Sequence, residues 1–165
     1  MPFKQAIIPL LDRVDDDVTA IGGASNTVVI EAGRTTGYNT DWVGALASLE
    51  EAEVTDVQRA IINGAGGVAR AIAFGLKRRE VEVFIAARSI DQRTDLVHAL
   101  DLDGETDLHR QGDVDTDLVA NATPDASNTE GAVELSAHKR AHSLLDVVFV
   151  NRTTLLVKAA REMDW

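Results

Sequence analysis

The sequence predicts an α/β protein with a doubly wound parallel sheet, preceded by an incomplete second segment. From residue 57 onward, short apolar runs alternate with stretches of helical spacing, which is typical of parallel strands joined by crossover helices. One of these apolar runs breaks into glycines and then resumes as a helix. We expect strands at 57–62, 81–86, 118–121 and 144–148, and helices at 68–78, 91–100 and 154–162.

The glycine cluster that follows the first of these strands predicts a tight turn and the start of a helix. Gly64 supplies the positive φ of a sharp turn, Gly66 lets the backbone approach a ligand, and Ala69 lets the helix lie close to the strand. The free N–H groups and the dipole of the helix N-terminus suit a pyrophosphate. A turn without a ligand is the alternative. The dinucleotide site predicted here comprises Gly64, Ala65, Gly66, Gly67 and Val68.

The end of the second strand indicates which dinucleotide is bound. An acid at this point contacts the ribose of NAD, whereas an arginine accommodates the 2′-phosphate of NADP. The strand ends in Ala87-Arg88-Ser89, without an acid. Arg88 offers a planar set of donors for a phosphate, and Ser89 adds a hydroxyl or caps the next helix. The sequence therefore favours NADP over NAD, with an ordinary surface arginine as the alternative.

Residues 1–52 follow a different pattern, so we place a domain boundary between 52 and 53. Apolar positions predict a short helix within 3–14, followed by an acidic turn at 15–17 and a glycine-rich loop at 21–27. Gly33 marks a hairpin turn, and Asn39-Thr40 an N-cap for a helix at 41–51. The stretch 102–117 is ambiguous, with one short strand expected near Leu108.

Composition excludes several functional classes. The chain has 27 acidic and 16 basic residues and a net charge of −11, which disfavours binding to nucleic acid or to an anionic membrane. It has no cysteine for a disulfide or a thiolate metal site, no apolar run of membrane-spanning length, and no signal sequence after Met1. We therefore expect a cytoplasmic protein. The excess of aspartate and the scarcity of lysine suggest a halophilic source as a hypothesis.

Six short motifs resemble the shikimate dehydrogenase family in their order and spacing. The resemblance extends over nearly the whole chain, and the YNTD and GAGG stretches are specific to the group. It implies an NADP-dependent oxidoreductase of aromatic amino acid biosynthesis, acting on shikimate, quinate or a related hydroxy acid. The motifs are MPFK at 1–4, ASNT at 24–27, GYNTD at 37–41, GAGG at 64–67 with Arg70-Ala71, ARS at 87–89, and NAT at 121–123.

The resemblance also implies roles for individual residues. Lys4 and Asp41 match the family's catalytic pair beside the hydroxyl that is oxidised, and Asn26 matches an asparagine that binds the substrate's ring hydroxyls. Such a pair suits the reaction, because removal of a hydride from a secondary alcohol requires a base for the hydroxyl proton. The loop beside the nicotinamide corresponds to Asn121, Ala122 and Thr123.

Departures from the family lead to an alternative function. The family's N-terminal segment, with its serine pair for the substrate carboxylate, and its C-terminal segment are not found here, so the chain resembles an enzyme truncated at both ends. By this interpretation residues 1–52 are a remnant of the substrate domain and 53–165 a short dinucleotide-binding domain. The alternative is a non-catalytic NADP-binding module left by truncation.

Two further expectations concern partners and metals. Exposed apolar residues within 1–52 would offer a surface for a homo-oligomer. His138 and His142 stand four residues apart, but without a third ligand we expect no metal site.

Overall fold

The computed structural model describes residues 3–124, 132–150 and 153–165 of the chain. The first part of the chain forms a three-stranded sheet in the order β1-β3-β2. Strands β2 and β3 form the hairpin predicted at Gly33, where Ala32 and Gly33 both have positive φ. The elements of this part are β1 (Arg13–Val14), α1 (Asp16–Ala20), β2 (Thr27–Glu31), β3 (Arg34–Tyr38) and α2 (Asp41–Glu51).

The helix predicted within 3–14 is wrong. This stretch forms turns and a single 3-10 turn at Ile8–Leu10, and then enters β1. Pro9 lies in the first turn of the 3-10 segment, where its missing N–H costs nothing, but a longer helix would have required that donor. The predicted acidic turn is instead the start of α1, because the Asp15 carboxylate accepts a hydrogen bond from the Asp17 N–H at 3.1 Å.

The second part of the chain forms a five-stranded sheet in which every neighbouring pair is parallel. The predicted α/β fold is therefore confirmed, with element ends within two residues of those expected from the sequence. The order of the strands is β6-β5-β4-β7-β8. The elements are β4 (Arg59–Asn63), α3 (Gly67–Lys77), β5 (Glu82–Ala86), α4 (Ile90–Leu100), β6 (Gly104–Thr106), β7 (Leu118–Asn121), β8 (Ser143–Asp146) and α5 (Leu155–Glu162).

The core lies on both faces of the five-stranded sheet, because successive side chains of a strand point in opposite directions. Ile62 packs with the residues of α2 and α3, whereas its neighbour Ile61 packs with Leu156 of α5. Helix α2 lies directly against α3: a Cβ on Gly75 would come within 3.2 Å of Leu46. This helix contact attaches the first part of the chain to the five-stranded sheet.

The ambiguous stretch 102–117 contains a strand, but not at the predicted place. Strand β6 ends at Thr106, and Leu108–Asp113 forms 3-10 turns. The Asp107 carboxylate accepts a hydrogen bond from the His109 N–H at 2.9 Å, which turns the chain out of the extended conformation. The predicted strand near Leu108 is therefore displaced to Gly104–Thr106.

The described part of the chain has neither a long apolar helix that could cross a membrane nor a group of three or more His, Cys, Asp or Glu residues arranged for a metal ion. His138 and His142 do not share a helix, since His138 follows a short 3-10 turn and His142 lies in a loop.

His138 is instead a buried polar contact between two loops. Its Nε2 lies 3.3 Å from the Gln111 amide oxygen, while the Gln111 amide nitrogen donates to the Leu108 carbonyl at 2.8 Å. The ring Nε2 must therefore be the donor, and Nδ1 has no partner among the described residues. Burial lowers the pKa of His138, and the nearby Glu134 opposes this only in part.

We predict that His138 makes stability depend on pH. Because its pKa is lower in the folded than in the unfolded chain, the unfolded chain binds the proton first as the pH falls below about 6.5. As the pH falls through that range, the free energy of unfolding of the natural chain should decrease relative to that of His138→Gln, by at most about 1.4 kcal/mol per pH unit. Urea unfolding of both proteins from pH 8 to pH 5 measures this difference, and parallel curves would contradict the prediction.

Candidate functional site

Lys4 and Asp41 form a partly buried ion pair, although they are 37 residues apart. The Lys4 side chain is only 8% exposed and its Nζ contacts Asp41 Oδ2. Each residue is fixed through its backbone: the Lys4 carbonyl accepts a hydrogen bond from Ser25 N at 2.9 Å, and Asp41 N donates to Asn39 Oδ1 at 3.0 Å. The pair is therefore held by the loop before β2 and by the start of α2.

Asn26 joins this pair through the second oxygen of the carboxylate. Its side-chain Nδ2 donates to Asp41 Oδ1 at 2.6 Å, and its Oδ1 accepts from Thr40 N at 2.9 Å. The two Asp41 oxygens thus face different donors, a cation on one side and an amide on the other. Lys4, Asn26 and Asp41, which the sequence predicted as site residues, are brought together by the fold.

Asn39 has a larger role than the sequence analysis assigned to it. It was expected to cap α2 together with Thr40, and Thr40 occupies the cap position without a side-chain cap hydrogen bond. The buried Asn39 side chain instead donates to the Ala24 carbonyl at 2.8 Å and accepts from Asp41 N. It therefore positions Asp41 relative to the loop that precedes Asn26. The pattern NTD alone suggests capping, and only the tertiary structure identifies the Ala24 contact.

The glycine turn lies beside the Lys4–Asp41 pair, and three of its glycines meet different surroundings. At Gly64, where φ is +120°, an added Cβ would come within 2.9 Å of the Ala122 carbonyl oxygen. At Gly66, which is the N-cap of α3, an added Cβ would meet nothing within 4 Å. At Gly67 it would lie 3.4 Å from Lys4 Cδ. The lysine side chain therefore packs over the first residue of α3.

Two clefts lie next to this turn. The larger, of about 600 Å³, is lined by Lys4, by the glycine turn and by the ends of β7 and β8. The smaller, of about 280 Å³, is lined by the glycine turn and by the loop between β5 and α4. Gly66 and the residues 122–124 line both. The larger cleft also contains Val147, Val148 and Phe149, which the sequence analysis did not assign to the site.

Asn121 and Thr123 belong to a hydrogen-bond chain across the ends of β7 and β8. Asn121 Oδ1 accepts from Thr123 Oγ1 at 2.7 Å, and Asn121 Nδ2 donates to Asp146 Oδ1 at 3.0 Å. The other oxygen of Asp146 accepts from Thr154 Oγ1 at 2.5 Å, and Thr154 caps α5. Asp146 thus connects the loop that lines both clefts to the start of α5, a role that sequence spacing does not indicate.

Arg88 and Ser89 lie on the far side of the glycine turn from Lys4. Both are exposed and line the smaller cleft together with Gly64 and Gln92. Ser89 also caps α4, where its hydroxyl accepts a hydrogen bond from Gln92 N at 3.3 Å. The predicted site residues therefore form two groups, with Lys4, Asn26 and Asp41 at one side of the turn and Arg88 with Ser89 at the other.

We predict opposite outcomes for alanine at two of the glycines. Gly64→Ala places a Cβ at positive φ and against a backbone carbonyl, so it should destabilise the fold by about 1–3 kcal/mol. Gly66→Ala enters open space at an ordinary φ and should leave the melting temperature unchanged. Thermal unfolding of the two variants compares them, and equal losses would contradict this account of the turn.

Comparisons with known proteins identify the relatives of this chain. No family model matches it. The chain is 32% identical over 164 residues to a shikimate dehydrogenase (NADP(+)) of Aquifex aeolicus, and 34% identical over 175 residues to a quinate/shikimate dehydrogenase (NAD(+)) of Corynebacterium glutamicum. Each match includes 98% of this chain, and 60% and 62% of the relative.

The fold supports the same relationship. The crystal structure of shikimate dehydrogenase from Aquifex aeolicus superimposes with a TM-score of 0.85 and 31% identity, over 99% of this chain and 61% of the other. The chain thus spans about three fifths of the length of the relatives that it matches. Over nearly all of its own length, this protein is similar in sequence and in fold to shikimate and quinate dehydrogenases.

Proposed function

We propose that this chain supplies the cofactor site and the catalytic pair of an NADP-dependent oxidoreductase that interconverts 3-dehydroshikimate and shikimate in aromatic amino acid biosynthesis. The main observation is that the Lys4–Asp41 pair packs against Gly67, the first residue of α3, at the edge of the larger cleft. A proton-transfer pair and a dinucleotide turn are thereby adjacent. The two relatives compared here are dehydrogenases, which supports the same proposal.

The residues present fit a dinucleotide. Gly66 has no side chain in the open space above the turn, and the first turn of α3 contains no acidic residue. The N–H groups at the start of α3 and the positive end of its dipole are therefore available to a pyrophosphate. Gly64 to Val68 would hold the phosphates, and residues 121–123 would lie beside the nicotinamide.

The chemistry follows from the position of the pair. The bound cofactor supplies or accepts the hydride. In reduction, Lys4 donates a proton from Nζ to the substrate oxygen, and in oxidation it accepts the hydroxyl proton. Asp41 keeps the ammonium group oriented through Oδ2, while Asn26 holds Oδ1; a ring hydroxyl of the substrate would replace Thr40 Oγ1, which accepts from the same amide nitrogen at 3.1 Å. Burial of Lys4 reduces competition from water for this proton.

Arg88 is the proposed determinant of NADP preference. It lines the smaller cleft beside Ser89 and Gln92, where a 2′-phosphate on the adenosine ribose would meet the guanidinium and the Ser89 hydroxyl. The relatives include an NADP(+) enzyme and an NAD(+) enzyme, so kinship alone does not decide the cofactor, and the proposal assigns the choice to residues of this cleft. A module that binds NADP without catalysis is the less favoured function, because the network of Lys4, Asn26 and Asp41 is complete.

Four broader features belong to the same proposal. The substrate is a small hydroxy acid, the domains divide between 52 and 53, and the protein is cytoplasmic.

The fourth feature is that the protein self-associates through apolar residues of the first 52, among which Leu10 is 79% and Ile30 is 71% exposed. Sedimentation velocity of the natural chain and of a Leu10→Ser, Ile30→Ser variant tests the last feature, and identical masses would contradict it.

We predict that NADPH raises the melting temperature more than NADH does. The reason is the additional phosphate contact in the smaller cleft, where hydrogen bonds to charged groups contribute about 1.5–3 kcal/mol. Arg88→Met should remove most of this difference and leave the NADH shift unchanged, whereas Gly66→Ala should reduce both shifts. Equal shifts for the two nucleotides in the natural chain would contradict the role of Arg88.

We predict that Lys4→Ala abolishes shikimate-dependent reduction of NADP, because it removes the proton acceptor. Asp41→Asn should lower kcat by about 10²-fold or more, since general acid–base catalysis typically contributes 10²–10⁴-fold. Nucleotide binding should persist in both variants. Glu50→Gln, an exposed carboxylate on the same helix as Asp41, is the matched control. If the natural chain binds NADPH without any turnover, the catalytic proposal fails and the module remains.

A further inference from the structure

Arg93 makes an unusual contact for a residue in the first turns of a surface helix. Its side chain is only 12% exposed, and Nη1 donates a hydrogen bond to the Ala87 carbonyl at 2.6 Å. Ala87 directly precedes Arg88 in the loop between β5 and α4. Arg93 itself does not line either cleft at the glycine turn. Its guanidinium therefore contacts the backbone of the loop from outside the two clefts.

The same guanidinium faces carboxylates from two other elements. Nε lies 3.6 Å from Glu105 Oε2 in β6, and Nη1 lies 3.5 Å from Asp107 Oδ2, which caps the 3-10 turns that begin at Leu108. The neighbouring Thr94 hydroxyl donates to the same Glu105 carboxylate, at 3.0 Å from Oε2. One mostly buried cation thus contacts the loop, the edge strand and the residue before Leu108, through a hydrogen bond to the loop and longer ion-pair contacts to the two carboxylates.

Two of these elements, the loop and the segment that starts with Leu108, line the smaller cleft. Ala87 and Arg88 form one side of it, and Leu108 belongs to the other. The backbone at Ala87 is tied to β6 by only one long hydrogen bond, from Ala87 N to the Thr106 carbonyl at 3.4 Å. The short Arg93 contact acts directly on the Ala87–Arg88 peptide through its carbonyl, whereas the long bond from Ala87 N holds only the preceding peptide.

On the basis of the proposed function, we propose that Arg93 is a positioning residue for the cofactor's 2′-phosphate: it fixes the Ala87–Arg88 peptide and thereby sets the preference for NADP over NAD. A positioning role differs from general stabilisation in its effect on affinity. Loss of fold stability would weaken both nucleotides alike, whereas misplacement of Arg88 weakens only the nucleotide that has the additional phosphate.

The first test is the ratio of the NADH and NADPH dissociation constants, measured by nucleotide fluorescence with the full chain. In Arg93→Met we expect the affinity for NADPH to fall by about tenfold, a loss typical of one charged hydrogen bond, and the affinity for NADH to change by less than about twofold. The matched control is Arg110→Met, whose exposed guanidinium pairs, within the described part of the chain, with Asp113 nearby in sequence. The control should keep the natural ratio.

The second test is a double-mutant cycle with Arg88→Met. If Arg93 acts through Arg88, the double variant should have the same ratio as Arg88→Met alone. Independent, additive losses would overturn the proposal. If Arg93→Met does not fold, Arg93→Lys serves in its place: one ammonium cannot hold the Ala87 carbonyl and both carboxylates together, so the ratio should fall in the same direction.

The outcomes separate this inference from the proposed function. A natural chain that binds neither nucleotide would overturn both. A natural chain that prefers NADPH, together with a folded Arg93 variant that keeps the full preference, would overturn the positioning role alone and leave the dehydrogenase proposal intact.

Discussion

The close approach of backbone and side chains at the glycine turn is the constraint on which the rest of the site depends. Gly64 leaves room for the carbonyl of Ala122, and Gly67 leaves room for the aliphatic part of Lys4. A Cβ at the first position would lie 2.9 Å from the Ala122 carbonyl oxygen and displace the loop that lines both clefts, whereas a Cβ at the second would only touch Lys4 Cδ, at 3.4 Å. The turn therefore sets the distance between the Lys4–Asp41 pair and the start of α3, and the two groups of predicted site residues lie on either side of it.

The remaining polar contacts of the site lie where the parallel strands end. Because parallel strands present their carboxyl ends at the same edge of a sheet, residues that follow β4, β7 and β8 converge there. Asp146 connects Asn121 with Thr154, so the loop after β7 and the first turn of α5 share one carboxylate. Arg93 has a comparable function on the other side of β4, where it connects the loop after β5 with β6.

Several acidic side chains pair with arginines at the opposite edge of the same sheet, where the strands begin. Arg140 bonds to Asp115 and Asp117, at 3.0 and 3.1 Å, while Arg59 pairs with Glu82. The Arg140 side chain is 62% exposed, and exposed pairs of this kind contribute little in water. The Asp117 carboxylate also accepts two backbone hydrogen bonds, from Gln58 and Arg59, which fixes the start of β4. The start of β4 is therefore held mainly by Asp117, which directly precedes β7, and less by the exposed arginine pairs.

The fold class, the glycine turn and, apart from β6, the strand and helix positions of residues 57–162 could be predicted from the sequence, because repeated burial of strands and helices leaves a local pattern of period 2 or 3.6. The same reasoning failed for 3–14 and near Leu108, where Pro9 and Asp107 redirect short segments through single local hydrogen bonds. Lys4 and Asp41 were predicted as site residues from the resemblance. The tertiary structure was needed to find three contacts: the pairing of these residues across 37 positions, the packing of Lys4 on Gly67, and the hydrogen bond from Arg93 to Ala87. These contacts depend on how α2, α3 and α4 pack against the sheet, and no local spacing records that packing.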